Sequence, residues 1–200
     1  MRTVTEIFEV YTFAELNEKA KDKVRDFYGE TRESWLFTLD CEEYLKSILT
    51  NSDLSVHYNL SYCQGDFLSI YGEVNLSDVL NKLSDYYSSK EIKYLRWLVN
   101  KWCTNITINE RNYYGSDYFS RSKVDFASDV VYDMEYNNIR GIRHDLIESF
   151  ENNVYFYINN LCDNLKNDGY AYFYEYTDDD IEDCCDCNEY EFLENGLLYA

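Results

Sequence analysis

Two histidines, His57 and His144, are the side chains of this sequence whose ordinary pKa lies near neutrality, and acid–base chemistry would begin with them. His57 falls on the polar side of an alternating stretch and His144 near the start of a helical one. With Asp66 they are the candidates for an enzyme acting on a nucleotide or small signalling molecule. No serine or cysteine sits in a nucleophile elbow or a cysteine-protease context. The seven glycines are scattered, so there is neither a phosphate-cradling loop nor a dinucleotide fingerprint. No catalytic residue is assigned on this basis.

Metal chemistry has a suggestive spacing. Asp178, Asp180, Glu182, Asp186 and Glu189 occupy relative positions 1, 3, 5, 9 and 12 of an EF-hand-like calcium loop, with Cys184 at the carbonyl position. The match fails at position 6, where the sharp turn needs glycine and the chain has Asp183. Cys184 and Cys187 form one Cys-x-x-Cys pair, but no second pair or neighbouring histidine completes a zinc site. The surrounding carboxylates oppose a thiolate, which also weakens a redox role. No metal or cofactor is expected.

The carboxylates carry a sharper reading as a surface. Residues 167–200 hold eleven Asp and Glu and no Lys or Arg, about half of a formal net charge of −20. Such a surface repels nucleic acid and anionic membrane and attracts a basic groove. A protein that displays carboxylates along a helix and an edge strand can engage the phosphate-binding Lys and Arg of a nucleic-acid enzyme. The residues assigned to that contact are Asp178, Asp179, Asp180, Glu182, Asp183, Asp186, Glu189, Glu191 and Glu194, with Tyr172, Tyr174 and Tyr190 as aromatic anchors. Asp178, Asp179 and Asp180 are expected to face solvent. The competing reading is an acidic surface that serves only solubility.

The elements that must position these groups follow from periodicity. Val4–Tyr11 reads as a strand, and a helix follows with Leu16, Ala20, Val24 and Phe27 or Tyr28 on one face, stopped by Gly29. Trp35, Leu36, Leu39, Leu45, Ile48 and Leu49 form the stripe of a second helix. Val56, Tyr58, Leu60 and Tyr62 alternate with polar residues and, across Gln64-Gly65-Asp66, face Leu68, Ile70 and Val74 in a hairpin. Ser77 or Asp78 caps a helix through Leu80, Leu83 and Tyr87, and Ile92, Leu95, Trp97, Leu98 and Val99 supply another. Cys103–Glu110, Tyr118–Phe126 and Asp129–Tyr136 read as strands. Leu146, Ile147, Phe150, Val154, Ile158, Leu161 and Leu165 mark a long helix over Arg143–Leu165. Thr177 caps an acidic helix. Asn195-Gly196, between Tyr190-Glu191-Phe192 and Leu197-Leu198-Tyr199, signals a closing hairpin. Mixed order and short connections give an α+β class with an antiparallel sheet and packed helices, a single compact domain over 1–200.

Composition narrows the rest. Hydrophobic residues make up 46%, with 22 Tyr, 11 Phe and 3 Trp, too rich in aromatics for a disordered acidic chain. The first residues carry one Arg with no apolar stretch behind it, so no secretory signal is expected, and no apolar run spans a bilayer. A cytoplasmic protein follows, with seven reduced cysteines acting mostly as small core residues. Exposed tyrosines could equally close a homo-oligomer.

Three segments, Thr12-Phe13-Ala14-Glu15-Leu16-Asn17-Glu18-Lys19-Ala20-Lys21, Ser61-Tyr62-Cys63-Gln64-Gly65-Asp66 and Asn188-Glu189-Tyr190-Glu191-Phe192-Leu193-Glu194-Asn195-Gly196, resemble a family of small accessory proteins of bacteriophages and prophages. That family has a TF-x-EL-x-E-x-AK start, a QGDG-type hairpin and an NEYEF-x-x-x-G end. Phe67 stands here where the family has its second hairpin glycine. The resemblance implies a phage accessory protein, and small acidic ones are often anti-CRISPR or anti-restriction antagonists of host defence. It implies no catalytic residues. The expected function is inhibition of a host nucleic-acid-targeting system by nucleic-acid mimicry. The partner would be a CRISPR effector or other defence nuclease, with no direct nucleic acid and no membrane. The alternatives are the counter-defence enzyme above and an antitoxin-like regulatory module.

Overall fold

The computed structural model describes residues 7–63, 65–109 and 124–199. In chain order these form β1 (Val10–Tyr11), α1 (Glu18–Thr31), α2 (Ser34–Ile48), β2 (Asp53–Asn59), β3 (Phe67–Asn75) and α3 (Leu76–Lys82). Then come α4 (Ser89–Trp102), β4 (Asn105–Ile108), α5 (Ala127–Tyr136), α6 (His144–Tyr174), α7 (Asp178–Cys187) and β5 (Phe192–Leu193). The class is α+β with antiparallel pairing throughout, as periodicity indicated. No helix among the described residues is long and apolar enough to cross a membrane. Two compact units are present, one of residues 35–169 and one joining the chain up to Ser34 with the chain from Tyr170, so that the boundary falls inside α6.

The unit of residues 35–169 is built on a three-stranded sheet of order β2-β3-β4. The hairpin register pairs Val56 with Ile70 and Tyr58 with Leu68. Leu54 and Val56 of β2 are buried with Leu68, Ile70 and Val74 of β3. α6 lays Leu146, Ile147, Phe150, Val154, Ile158, Leu161 and Leu165 into the core, the stripe that its sequence spacing predicts. It runs nine residues past Leu165, through Lys166-Asn167-Asp168-Gly169 to the aromatic run that ends at Tyr174; Gly169 is buried within the helix, where a Cβ would collide with Leu60 and Phe37.

Other expectations are corrected. α2 buries Phe37, Cys41 and Leu45, a row at i, i+4 and i+8, and leaves Trp35, Leu36 and Leu39 exposed. So many apolar residues crowd this helix that its sequence admits two stripes. α3 is capped by Asn75, whose Oδ1 accepts from the N–H groups of Ser77 and Asp78, rather than by either of those residues. Asp129–Tyr136 is helical: Ala127, Val130 and Met134 are buried at helical spacing, and Glu151 of α6 accepts the N–H groups of Phe126 and Ala127 at the start of α5. Packing and capping overrule the strand preference of adjacent Val130 and Val131. Of the Tyr118–Phe126 stretch, residues 118–123 lie outside the described residues and 124–126 form no strand.

The other unit is smaller. Phe13, Leu16, Ala20, Val24, Ile181, Cys185 and Phe192 make its core, flanked by Tyr11, Tyr28, Tyr176 and Tyr190. Asn17 caps α1 by accepting the N–H of Ala20 at 3.1 Å. α1 passes through Gly29 to Thr31 instead of stopping there; the Tyr176 hydroxyl sits 2.5 Å from where a Cβ on Gly29 would be, so glycine admits a ring. β1 pairs with β5, Val10 with Leu193 and Tyr11 with Phe192, and residues 4–6 of the expected first strand lie outside the described residues. The closing turn forms where Asn195-Gly196 predicts it. Gly196 adopts φ +81°, and Leu193 N–H bonds Leu197 O while Phe192 bridges Leu198.

Candidate functional site

α7 begins as its sequence demands. Thr177 Oγ1 accepts the N–H of Asp180 at 3.3 Å, and the Asp180 carboxylate accepts from Thr177 N–H at 2.7 Å and from Thr177 Oγ1 at 2.8 Å, a reciprocal capping box. Those bonds hold the Asp180 carboxyl below its ordinary pKa. Three aspartates in the first turn also face the positive end of the helix dipole.

One turn of helix brings Ile181 and Cys185 onto the face buried against α1 and the Phe13–Glu15 turn. Burial pushes the Cys185 thiol up to about 11, with Cys184, Asp186 and Glu182 adding to the shift, so this sulfur is a neutral core atom. Asp178, half-buried at the edge of that face, takes Arg25 bidentately: Nε to Oδ1 at 2.7 Å and Nη2 to Oδ2 at 2.6 Å. The Arg25 bonds depress the Asp178 pKa, and Arg25 also reaches Asp22 and Glu18. The expected solvent-facing triplet therefore needs correction. Asp178 is tied to α1 and Asp180 to its own cap, and Asp179 alone of the three is exposed without a partner among the described residues.

The outward face carries what remains. Asp179, Asp183 and Asp186 fall at i, i+4 and i+7, exposed and opposite Ile181 and Cys185, with half-buried Glu182 beside them. A Schellman end follows, in which Tyr190 N–H bonds Cys185 O at 2.9 Å and Glu189 N–H bonds Asp186 O at 3.3 Å. Glu189 occupies the left-handed position with φ +56°. Glu191 and Glu194 continue the exposed acid along the closing turn. None of these seven side chains, from Asp179 to Glu194, makes a hydrogen bond or ion pair with another described residue.

The EF-hand-like spacing is thus spread over a helix and its cap instead of a loop, and no group of three or more His, Cys, Asp or Glu among the described residues is placed to hold a metal ion.

The aromatic anchors divide. Tyr190 is half-buried against the core. Tyr172 is half-buried beneath Arg32, whose guanidinium lies 4.7 Å from its ring, 5.0 Å from Tyr28 and 5.4 Å from Tyr176. Tyr174 is the exposed member of the three. Sequence reading missed both arginines. Arg25 meets a carboxylate 153 residues away, and nothing local to α1 signals that clamp.

The remaining candidates lie in the sheet-bearing unit. The His57 ring stands edge-on to Phe67 at 5.3 Å. His144 Nε2 is 3.3 Å from Glu135 Oε1 at the exposed start of α6. Asp66 organises its own loop, accepting Ser61 N–H at 2.9 Å and the Cys63 thiol at 3.0 Å, while Lys166 Nζ donates to its carbonyl. Gln64 lies outside the described residues. Comparison of the chain with models of known families, with curated proteins and with solved structures returns no match.

Proposed function

We propose that this protein is a non-enzymatic, phage-encoded inhibitor that occupies the basic nucleic-acid channel of a host defence effector of the CRISPR type. The observation that carries this reading is the outward face of α7. Asp179 and Asp186 stand seven residue steps apart, or about 10 Å along the helix axis, with Asp183 between them, so carboxylates follow one another at about 5 Å. A nucleic-acid strand carries one charge per about 3.4 Å, and a duplex one per about 1.7 Å. The helix face is closer to a single strand, and exposed Glu189, Glu191 and Glu194 follow it in the chain. Keeping seven unpaired carboxylates together costs folding free energy through self-repulsion, which binding to a basic surface would relieve. Sequence resemblance to phage accessory proteins supplies the biological setting.

The test is affinity capture from the natural host at low salt, followed by elution with single-stranded DNA. Release of a nucleic-acid-targeting effector by DNA, and by rising salt, supports the reading. A captured partner that DNA does not displace would replace it with a different binding function.

A further inference from the structure

The small unit has a second feature beside its acid. The strand entering β1 and the turn after β5 border a shallow, open cleft of about 480 Å³. Ile7, Phe8, Tyr11 and Leu193 line it together with Glu9, Asn17, Glu194 and Asn195, and no Lys or Arg is among the lining residues. Ile7 is 91% exposed, and Phe8 and Tyr199 meet at 5.9 Å with about half of each ring still in water. Folding leaves this apolar surface open although the same unit buries Phe13 and Phe192 completely. The Tyr11 hydroxyl donates to Glu9 Oε2 at 3.0 Å, which fixes that carboxylate at the rim and leaves Oε1 to accept from outside.

We infer that this cleft is a docking subsite for a bulky apolar side chain carried on a Lys- or Arg-rich segment of the partner. The assignment rests on the proposed binding of a basic surface and adds its apolar component. Charge complementarity selects the occupant: an apolar group alone gains nothing from Glu9 and Glu194, and a basic segment alone leaves Ile7 and Phe8 in water. Where acid gives encounter rate and orientation, a filled cleft supplies slow release.

Two fluorescent nonapeptides test it against the full chain, one alternating lysine with leucine and one alternating lysine with serine. The leucine peptide is expected to bind roughly tenfold or more tightly, as burial of one large apolar side chain implies. Ile7→Ser, at an exposed lining position and checked for unchanged melting, should reduce that preference to within about threefold. Equal binding of the two peptides would overturn the cleft assignment while leaving the acidic surface intact. Failure of both peptides to bind at low salt would instead remove the acidic reading on which it rests. Concentration-dependent dimerisation abolished by Ile7→Ser would assign the cleft to a second copy of this chain and overturn the proposal.

Discussion

The two units put their carboxylates to different uses. In residues 35–169, Asp78 accepts from both the backbone and side-chain amides of Asn51, Glu91 closes the capping box of α4 and reaches Arg143, and Glu151 caps α5. Basic residues are interspersed with acids there. In the acid-only C-terminal stretch, folding engages Asp178 and Asp180 and leaves the outward series from Asp179 to Glu194 unpartnered among the described residues. The difference separates carboxylates that hold the fold from carboxylates that only charge it. Within α7 the division is one of helix face: inward residues build the unit, and outward residues are free to meet another molecule.

The largest effect on that contrast should come from the inward face. Ile181 is fully buried, and Ile181→Ala should cost about 2–5 kcal/mol in denaturant unfolding, with loss of binding as a consequence of lost structure. Asp183→Ala, on the other face, should leave unfolding nearly unchanged. If the two variants unfold alike, the division into faces is wrong.

Arg25→Ala should next weaken the small unit and change how stability depends on pH. Asp178 has a folded pKa below its unfolded value of about 3.9, so its contribution is present above that value and is lost as pH falls through the folded one. Without Arg25 the loss of stability below about pH 4 should be shallower, because Asp178 then titrates alike in both states. An unchanged acid limb in thermal scans would mean that the clamp does not hold in solution.

Thr177→Ala removes the acceptor for Asp180 N–H and should cost about 1 kcal/mol, read as a lower Tm at neutral pH. Smallest is Glu189→Gly, which relieves a left-handed non-glycine residue and should raise Tm slightly. A drop in Tm would show that the Glu189 side chain stabilises the fold, which would move it from the outward set to the inward one.

Much of this architecture was legible because local rules and tertiary packing agree. The Thr177 cap, the stripe of α6, the β2–β3 hairpin and the Asn195-Gly196 turn each carry a local signal that the fold obeys. α2 and α5 were misread where two patterns overlap: apolar residues surround α2, and β-branched residues sit inside a helical stripe in α5. At the site, the acid was visible but its sorting was not. Asp178 and Asp179 are identical neighbours in sequence, and only the position of Arg25 on α1 makes one a structural ion-pair partner and the other an exposed charge. The cleft was hidden for the same reason, since Phe8 and Tyr199 are joined by pairing of distant strands.

The most direct test of the central claim is competition. DNA binding by the effector captured from the host is titrated in the presence of this protein and of a variant carrying Asp179→Lys, Asp183→Lys and Asp186→Lys, with melting of both proteins measured alongside. The intact protein should raise the apparent Kd for DNA in proportion to its concentration, and the variant, melting as the intact protein does, should lose at least about tenfold in that effect. Inhibition that is insensitive to DNA concentration, or that survives the triple reversal in a folded variant, would contradict nucleic-acid mimicry by this helix.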